Sequence, residues 1–337
     1  MTHTIEENRS IVDALNALNL LSGETMTLFV TDKEGKLKGS LTDGDVRRAL
    51  LAGHALDDRL ADICNRGCLR IRKEENYLPV IAEARRRGII LLPVVKDGYI
   101  ISLLDLRKTR GLIPADGVLM AGGMGERLRP LTETVPKPLL PVGKRPIIDH
   151  NVSLMRDFGI ENIYVTVNYR KEQIIDHFKG EEGSVKCIAE PSRLGTIGSL
   201  SLIDDFKSPH IVVMNADLLT DVNLEAMYLR HVETEAWLTM AVIPYTVSVP
   251  YAIVMHEGDK VEGLTEKPTY NYFANAGIYM IRREAADLIA RGEYMDATDL
   301  IDKLIHDGKR VSLFNLDGRW IDIGSPDDYR HACELMG

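Results

Sequence analysis

The chain has 337 residues, 45% of them hydrophobic and 27% charged, which suits a soluble protein with room for two domains. No run of about 18 apolar residues could span a bilayer, and the opening Met1-Thr-His-Thr-Ile-Glu-Glu7 lacks the basic start and apolar core of a secretory leader, so a cytoplasmic protein with no membrane partner is expected. Net charge is −9 but uneven: residues 1–115 carry +2 and the rest −11, an acidic body that argues against nucleic acid as partner while leaving room for a small anion met by local cations.

The first third reads as an internal repeat. Helical periodicity over Ile11–Leu18 leads to a strand at Thr27–Thr31, a turn at Asp32–Gly35, a second strand at Lys36–Leu41, and a helix that Thr42 or Asp43 can cap. The second copy runs from a helix over Leu78–Arg87 through Ile89–Val95, a turn at Lys96–Gly98 and Tyr99–Ser102 to a helix expected at Leu103–Lys108. Cys64 and Cys68 lack the second pair or nearby histidine that a zinc site needs, so they read as reduced thiols, as do Cys187 and Cys333. The strand–turn–strand–helix repeat resembles a tandem CBS-domain pair over residues 1–112. That resemblance implies an adenine or other purine nucleotide as effector, contacted by Thr42 with Asp45 and by Ser102 with Asp105, and it implies a homodimer or higher homo-oligomer.

A boundary is expected near Gly111–Asp116, and strands then alternate with helices. Strands are predicted at Gly117–Ala121, Asn162–Val167, Ser184–Ala189, Ile211–Asn215 and Ala236–Val242, and helices at Ile148–Phe158, Arg170–Phe178, Ile197–Ile203 and Leu224–His231. This alternation predicts an α/β fold with a Rossmann-like, mostly parallel sheet whose ligands sit at the strands' carboxyl ends. Residues 252–281 turn strand-rich, an antiparallel extension suited to a sugar pocket.

The first of these strands ends in Ala121-Gly-Gly-Met-Gly-Glu-Arg127, followed by Pro136-Lys-Pro138. Gly122, Gly123 and Gly125 let the backbone approach a triphosphate and point N–H groups at it, while Arg127 and Lys137 add full positive charge. Neither the phosphate loop ending in Gly-Lys-Ser/Thr nor the dinucleotide fingerprint fits, because Leu128 stands where a third spaced glycine would be. Asp217, at the end of the apolar strand Ile211–Met214, is placed as carboxylates that hold Mg²⁺ often are.

Together these segments resemble the signature of sugar-1-phosphate nucleotidyltransferases, the domain expected over residues 116–337. The resemblance implies that Arg127 and Lys137 are catalytic. Ala121, Gly122, Gly123, Gly125, Leu194, Gly195 and Thr196 would face the nucleotide, and Glu266, Lys267, Asn275 and Gly277 the sugar phosphate. Asp322, in Trp320-Ile-Asp-Ile-Gly-Ser-Pro326, would join Asp217 on Mg²⁺; only the resemblance links these two, so far apart in the chain. Nucleoside triphosphate and sugar 1-phosphate are the implied substrates. Leu194-Gly-Thr-Ile-Gly198 is closest to guanylyltransferases such as the mannose-1-phosphate enzymes, and the fused architecture suggests GDP-aminosugar formation on a route to nonulosonic acids of the legionaminic type. A UTP- or dTTP-dependent transferase, an enzyme moving a non-sugar group such as choline phosphate, and a non-catalytic nucleotide sensor are the alternatives.

Overall fold

A computed structural model describes residues 2–72, 77–180 and 185–337. The chain divides into two compact units, Met1–Leu112 and Ile113–Gly337.

In the first unit the repeat is visible in strand order. Thr4–Glu6 pairs parallel to Thr27–Thr31, which pairs antiparallel to Leu37–Thr42; Ile71–Arg72, Leu91–Lys96 and Tyr99–Asp105 repeat that pattern. Each copy places a helix between its first two strands, Ile11–Leu20 and Leu78–Arg86, whose buried faces are Ile11, Ala14 and Leu18 in one and Leu78, Ile81 and Ala84 in the other. The copies are sewn together by the Leu37 N–H donating to the Gly98 carbonyl and by Phe29, Leu37, Leu91 and Val95 packed in one cluster. They differ in their endings. A helix over Asp43–Leu51 follows the first copy, but Leu103–Lys108 is not the expected helix: the strand continues to Asp105 and ends in a turn. The apolar run Ile100-Ile-Ser-Leu-Leu104 keeps pairing through the ladder with Leu91–Val95, and Asp105 accepts from the Arg107 N–H, which closes a turn instead of opening a helix.

The second unit is built on a seven-stranded sheet. We number its strands β1 (Ala115–Met120), β2 (Ile163–Val167), β3 (Val185–Ala189), β4 (His210–Asn215), β5 (Leu238–Ser248), β6 (Thr269–Arg282) and β7 (Val311–Asn315). Their spatial order is β3-β2-β1-β4-β6-β5-β7, and only β6 runs against the others. The order reverses between β1 and β4, so the loops leaving these neighbours diverge and open a crevice at their carboxyl ends. Strand alternation splits the core: Leu119, Val165, Val212 and Met214 belong to one buried cluster, and Val118, Tyr164, Ile211 and Val213 to another. Helices α1 (Ile147–Asp157), α2 (Lys171–His177) and α3 (Leu224–Glu233) serve the first cluster, and α4 (Ala297–His306) the second.

Two expectations change here, and part of a third is untested. The stretch Ile197–Ile203 is a short 3₁₀ turn over Gly198–Leu202, because Ile197 and Gly198 both donate to the Met295 carbonyl instead of to a helical turn. Strand β5 begins two residues later than expected and runs on to Ser248, paired with β6 on both sides of an irregularity at Ala241. Of the strand expected at Ser184–Ala189, Ser184 lies outside the described residues. The last helix, α5 (Pro326–Met336), starts with Ser325 capping the Asp328 N–H and Pro326 at the first helical position.

Candidate active site

The Gly-rich loop leaves β1 at the crevice. Gly125 has φ +62, which an L side chain rarely adopts, and a Cβ there would lie 3.0 Å from the Thr132 methyl and 3.1 Å from the Lys137 Cβ. Thr132 Oγ1 donates to the Gly125 carbonyl at 2.8 Å and holds the turn closed. Beneath the loop lies a small apolar cluster of Leu128, Leu140, Val142, Ile147, Leu219, Ile323 and Ala332, with Tyr329 and Met336 at its border. Arg127, Asp217 and Asp322 therefore each stand beside, or two residues from, a buried anchor of one cluster.

The two aspartates, distant in sequence, meet through backbone pairing. Leu218–Thr220 and Trp320–Asp322 form a two-stranded antiparallel sheet in which Leu218 is opposite Asp322, and the Ile323 N–H donates to the Asp217 carbonyl at 3.2 Å. Between the carboxylates sits Lys137, 8% exposed, hydrogen-bonded to Asp217 Oδ2 and 3.8 Å from Asp322 Oδ1. Asp217 Oδ1 is buried without a hydrogen-bond partner. Burial, and then the neighbouring Asp217 charge, push the Asp322 carboxyl above the usual carboxylate range, with Lys137 and Arg127 pulling the other way. Two close carboxylates, one with an orphaned oxygen, are the donor set Mg²⁺ accepts when phosphates and water complete its shell. Among the described residues no group of three or more His, Cys, Asp or Glu could hold a metal by itself.

A cavity of about 310 Å³ opens on this cluster, lined by Gly123–Leu128, Lys137, Arg193, Asp217 and Gly324. Gly324 leaves room for the Arg127 guanidinium, which would lie 3.1 Å from a Cβ there.

The other predicted residues divide. Gly277, at φ +70, lies where a Cβ would be 2.5 Å from the Asn215 amide, so the β4 end and β6 touch there without a side chain between them. Asn275 donates to the Tyr279 hydroxyl and accepts from the Gly277 N–H. Glu266 and Lys267 are exposed in the turn before β6, and among the described residues their side chains form no hydrogen bond or ion pair. Six residue steps along β6, paired to β5 and about 20 Å of extended chain, separate Thr269 from Asn275. Leu194 is buried, and its carbonyl accepts from the Met295 N–H. Gly195 packs against the Met295 carbonyl, and the Thr196 hydroxyl bridges the Asp296 carboxylate and the Ala297 N–H at the start of α4. The twice-bonded Thr196 hydroxyl is thus already committed within the protein.

The sequence reading missed Glu190. It follows β3, is 6% exposed, and its carboxylate oxygens are 3.0 and 3.3 Å from where a Gly122 Cβ would be. Burial raises its carboxyl, opposed by the Leu194 N–H. The available signal was the one used for Asp217: an acidic residue directly after an apolar strand.

In the first unit, Thr42 and Asp45 form a reciprocal helix cap, the Asp45 carboxylate accepting from the Thr42 N–H at 2.8 Å and Thr42 Oγ1 from the Asp45 N–H at 3.3 Å. Asp45 also pairs with Arg48 at 2.6 Å. Asp105, paired with Arg107, lines a cavity of about 400 Å³ together with His3, Thr25, Leu91 and Lys108; Ser102 is exposed on its strand and does not line it.

The chain resembles known proteins mainly at this level of family and fold. It is 29% identical over 231 residues to a mannose-1-phosphate guanyltransferase of Debaryomyces hansenii, covering 65% of this chain and 64% of that protein. It is 32% identical over 232 residues to the bifunctional protein GlmU of Methanocaldococcus jannaschii, covering 66% and 54%. The chain thus spans less than two thirds of the length of these curated relatives. Among solved structures, HddC from Yersinia pseudotuberculosis complexed with GMP-PN shares the fold, with a TM-score of 0.51 at 22% identity over 66% of this chain and all of that one. The family described as Nucleotidyl transferase matches residues 116–336, from the second residue of β1 to the end of α5, and this chain belongs to it.

Proposed function

We propose that the second unit transfers a nucleotidyl group, GMP from GTP, to a sugar 1-phosphate. The observation that carries this reading is the Lys137–Asp217–Asp322 cluster at the mouth of the Gly-rich loop. An oxygen of the sugar phosphate attacks the α-phosphorus in line; the new P–O bond forms as the bond to the β-phosphate oxygen breaks, and pyrophosphate leaves. No protein nucleophile is required, so the protein positions the reactants and neutralises charge. In this reading Lys137 would meet the α-phosphate and Arg127 the leaving pyrophosphate. Mg²⁺ held by Asp217 and Asp322 would supply charge stabilisation at the phosphate oxygens.

Glu190 supports GTP over the other triphosphates. A buried carboxylate beside Gly122, which already takes the Leu194 N–H, keeps further acceptor capacity, and guanine alone presents adjacent N–H and NH₂ donors on its pairing edge. Uracil and thymine offer one N–H between two carbonyls, and adenine and cytosine set an acceptor beside their amino groups. The finer assignment, an aminosugar 1-phosphate on a nonulosonic acid route, is a proposal from the two-unit architecture.

For the first unit we propose a purine nucleotide effector in a CBS-like pair, which also supports self-association. The cavity with Asp105, Arg107 and Lys108 is better placed for it than the Thr42–Asp45 cap, whose polar atoms serve the helix. Titrating AMP, ADP, ATP and GDP against the full chain and Asp105→Ala tests this, and equal binding by both would reject the site.

Pyrophosphate release from GTP, UTP, dTTP, CTP and ATP against glucose, mannose and glucosamine 1-phosphates tests the main reading. The highest kcat/KM is expected with GTP. A higher value for another triphosphate rejects the base assignment, and no release from any pair rejects the transferase.

A further inference from the structure

We propose that Arg193 is a second guanidinium for the polyphosphate tail of the nucleotide, working across the cavity with Arg127; the inference rests on the nucleotidyl-transfer reading above. Arg193 comes from the segment after β3, yet it lines the same cavity as the Gly-rich loop that follows β1. Strand β2 lies between those two strands, so their ends are about 10 Å apart and the segment must lean back over the loop.

That lean is fixed on both sides of Arg193. The Glu190 N–H donates to the Val167 carbonyl, Leu194 is 1% exposed, and the Thr196 N–H donates to Asp296 at 2.9 Å. Arg193 itself is exposed and contributes nothing to this anchoring: among the described residues it has no hydrogen bond or ion pair. Its charge is felt only at a distance, lowering the Glu190 and Asp296 carboxyls as a lesser cause in each case.

Charge counting in the cavity gives the side chain a purpose. Lys137 pairs with Asp217, faces Asp322 and is already assigned to the α-phosphate. The uncommitted cations among the lining residues are Arg127 and Arg193. A triphosphate brings about four negative charges, and each guanidinium can grip a phosphate through two parallel N–H···O bonds. The lining favours the tail over the sugar phosphate, because it includes the whole of Gly123–Leu128 and omits Asn275, Gly277 and Lys267.

The test uses the full chain with Arg193→Ala and Arg193→Lys. Steady-state rates should show KM for GTP raised about tenfold or more in Arg193→Ala, with KM for the sugar 1-phosphate within about twofold of wild type. Calorimetry with pyrophosphate and Mg²⁺ should show a similar weakening, GMP affinity should hold, and Arg193→Lys should fall between, since an ammonium restores charge without the fork. The thermal midpoint should not move. Unchanged GTP and pyrophosphate affinity, or a defect confined to the sugar 1-phosphate, would overturn the assignment. If the wild-type protein releases no pyrophosphate from any triphosphate, the transferase reading fails on its own, and the pyrophosphate-binding arm still decides Arg193.

Discussion

The two units treat the same kinds of side chain in opposite ways. In the first, Thr42 and Asp45 satisfy each other's backbone N–H groups, and Asp105 closes a turn with Arg107. In the second, Asp217 keeps a buried oxygen without a partner, Asp322 is pushed up by burial and by a like charge, and Arg193 faces a cavity unpaired. Both regions are rich in Asp, Arg and Thr, so composition does not separate them. What separates the Thr42–Asp45 and Asp105–Arg107 pairs from Asp217 and Arg193 is whether the folded chain finishes their hydrogen bonds. A polar group completed internally is accounted for by the fold, whereas one held short of completion costs stability and makes sense if a ligand completes it.

The largest test of this contrast is catalytic. Asp217→Asn and Asp322→Asn should each lower turnover at least about a hundredfold in pyrophosphate-release assays while circular dichroism stays native. Near-normal turnover in either would remove the two-carboxylate site. Gly277→Ala comes next. Its methyl would collide with Asn215 in a backbone conformation that disfavours alanine, so both kcat/KM and the thermal midpoint should fall, at a cost of about 1–3 kcal/mol. A stable, active variant would mean that β6 and the β4 end can separate without loss.

Acid titration probes a third buried polar group. His231, 1% exposed, pairs through Nδ1 with Thr239 at 2.8 Å, while its Nε2 has no partner. Burial, followed by the positive neighbours His210 and Arg282, lowers its pKa to about 3 from an ordinary 6.5. The unfolded chain therefore binds a proton there that the folded chain refuses, and stability is lost as pH falls from about 6.5 toward 3. His231→Gln should flatten that limb of a Tm-against-pH curve, and an unaltered slope would show that other groups set it.

The smallest effects carry the sharpest contrast in sign. Thr42→Ala removes a satisfied cap and should cost the first unit about 1 kcal/mol in chemical denaturation. Asp322→Asn should do the reverse in metal-free protein. A carboxyl whose pKa is raised by folding destabilises the native state above that pKa, so neutralising it should raise Tm slightly near pH 7 and have no effect at low pH. Equal signs for these two substitutions would break the comparison.

Much of this was legible in the sequence, for reasons that differ by residue. Periodicity located β1 to β4 and α1 to α3 because each is a local pattern with one buried face. The Gly-rich loop was legible because its glycines and cations are contiguous. Asp217 and Asp322 could be joined only by resemblance, since their meeting depends on a three-residue strand pair that no local pattern announces. The turn after Asp105 was misread as a helix because Ser102–Asp105 matches the spacing of the Thr42–Asp45 cap, and spacing alone does not reveal that the strand ladder continues. Glu190 and Arg193 escaped because their importance lies in what folds back over them.

The apolar cluster beneath the Gly-rich loop also sets an order of events. Leu128 and Leu140 come early in the second unit, but Ile323 and Ala332, which complete their packing, come after the last strand of the sheet. A ribosome that has released the chain as far as Asn315 has delivered all seven strands and the whole Gly-rich loop, yet neither Asp322 nor the helix that props the loop from below. Translation therefore yields a nascent sheet before it yields a working pocket, and the loop's final shape waits for α5 to dock.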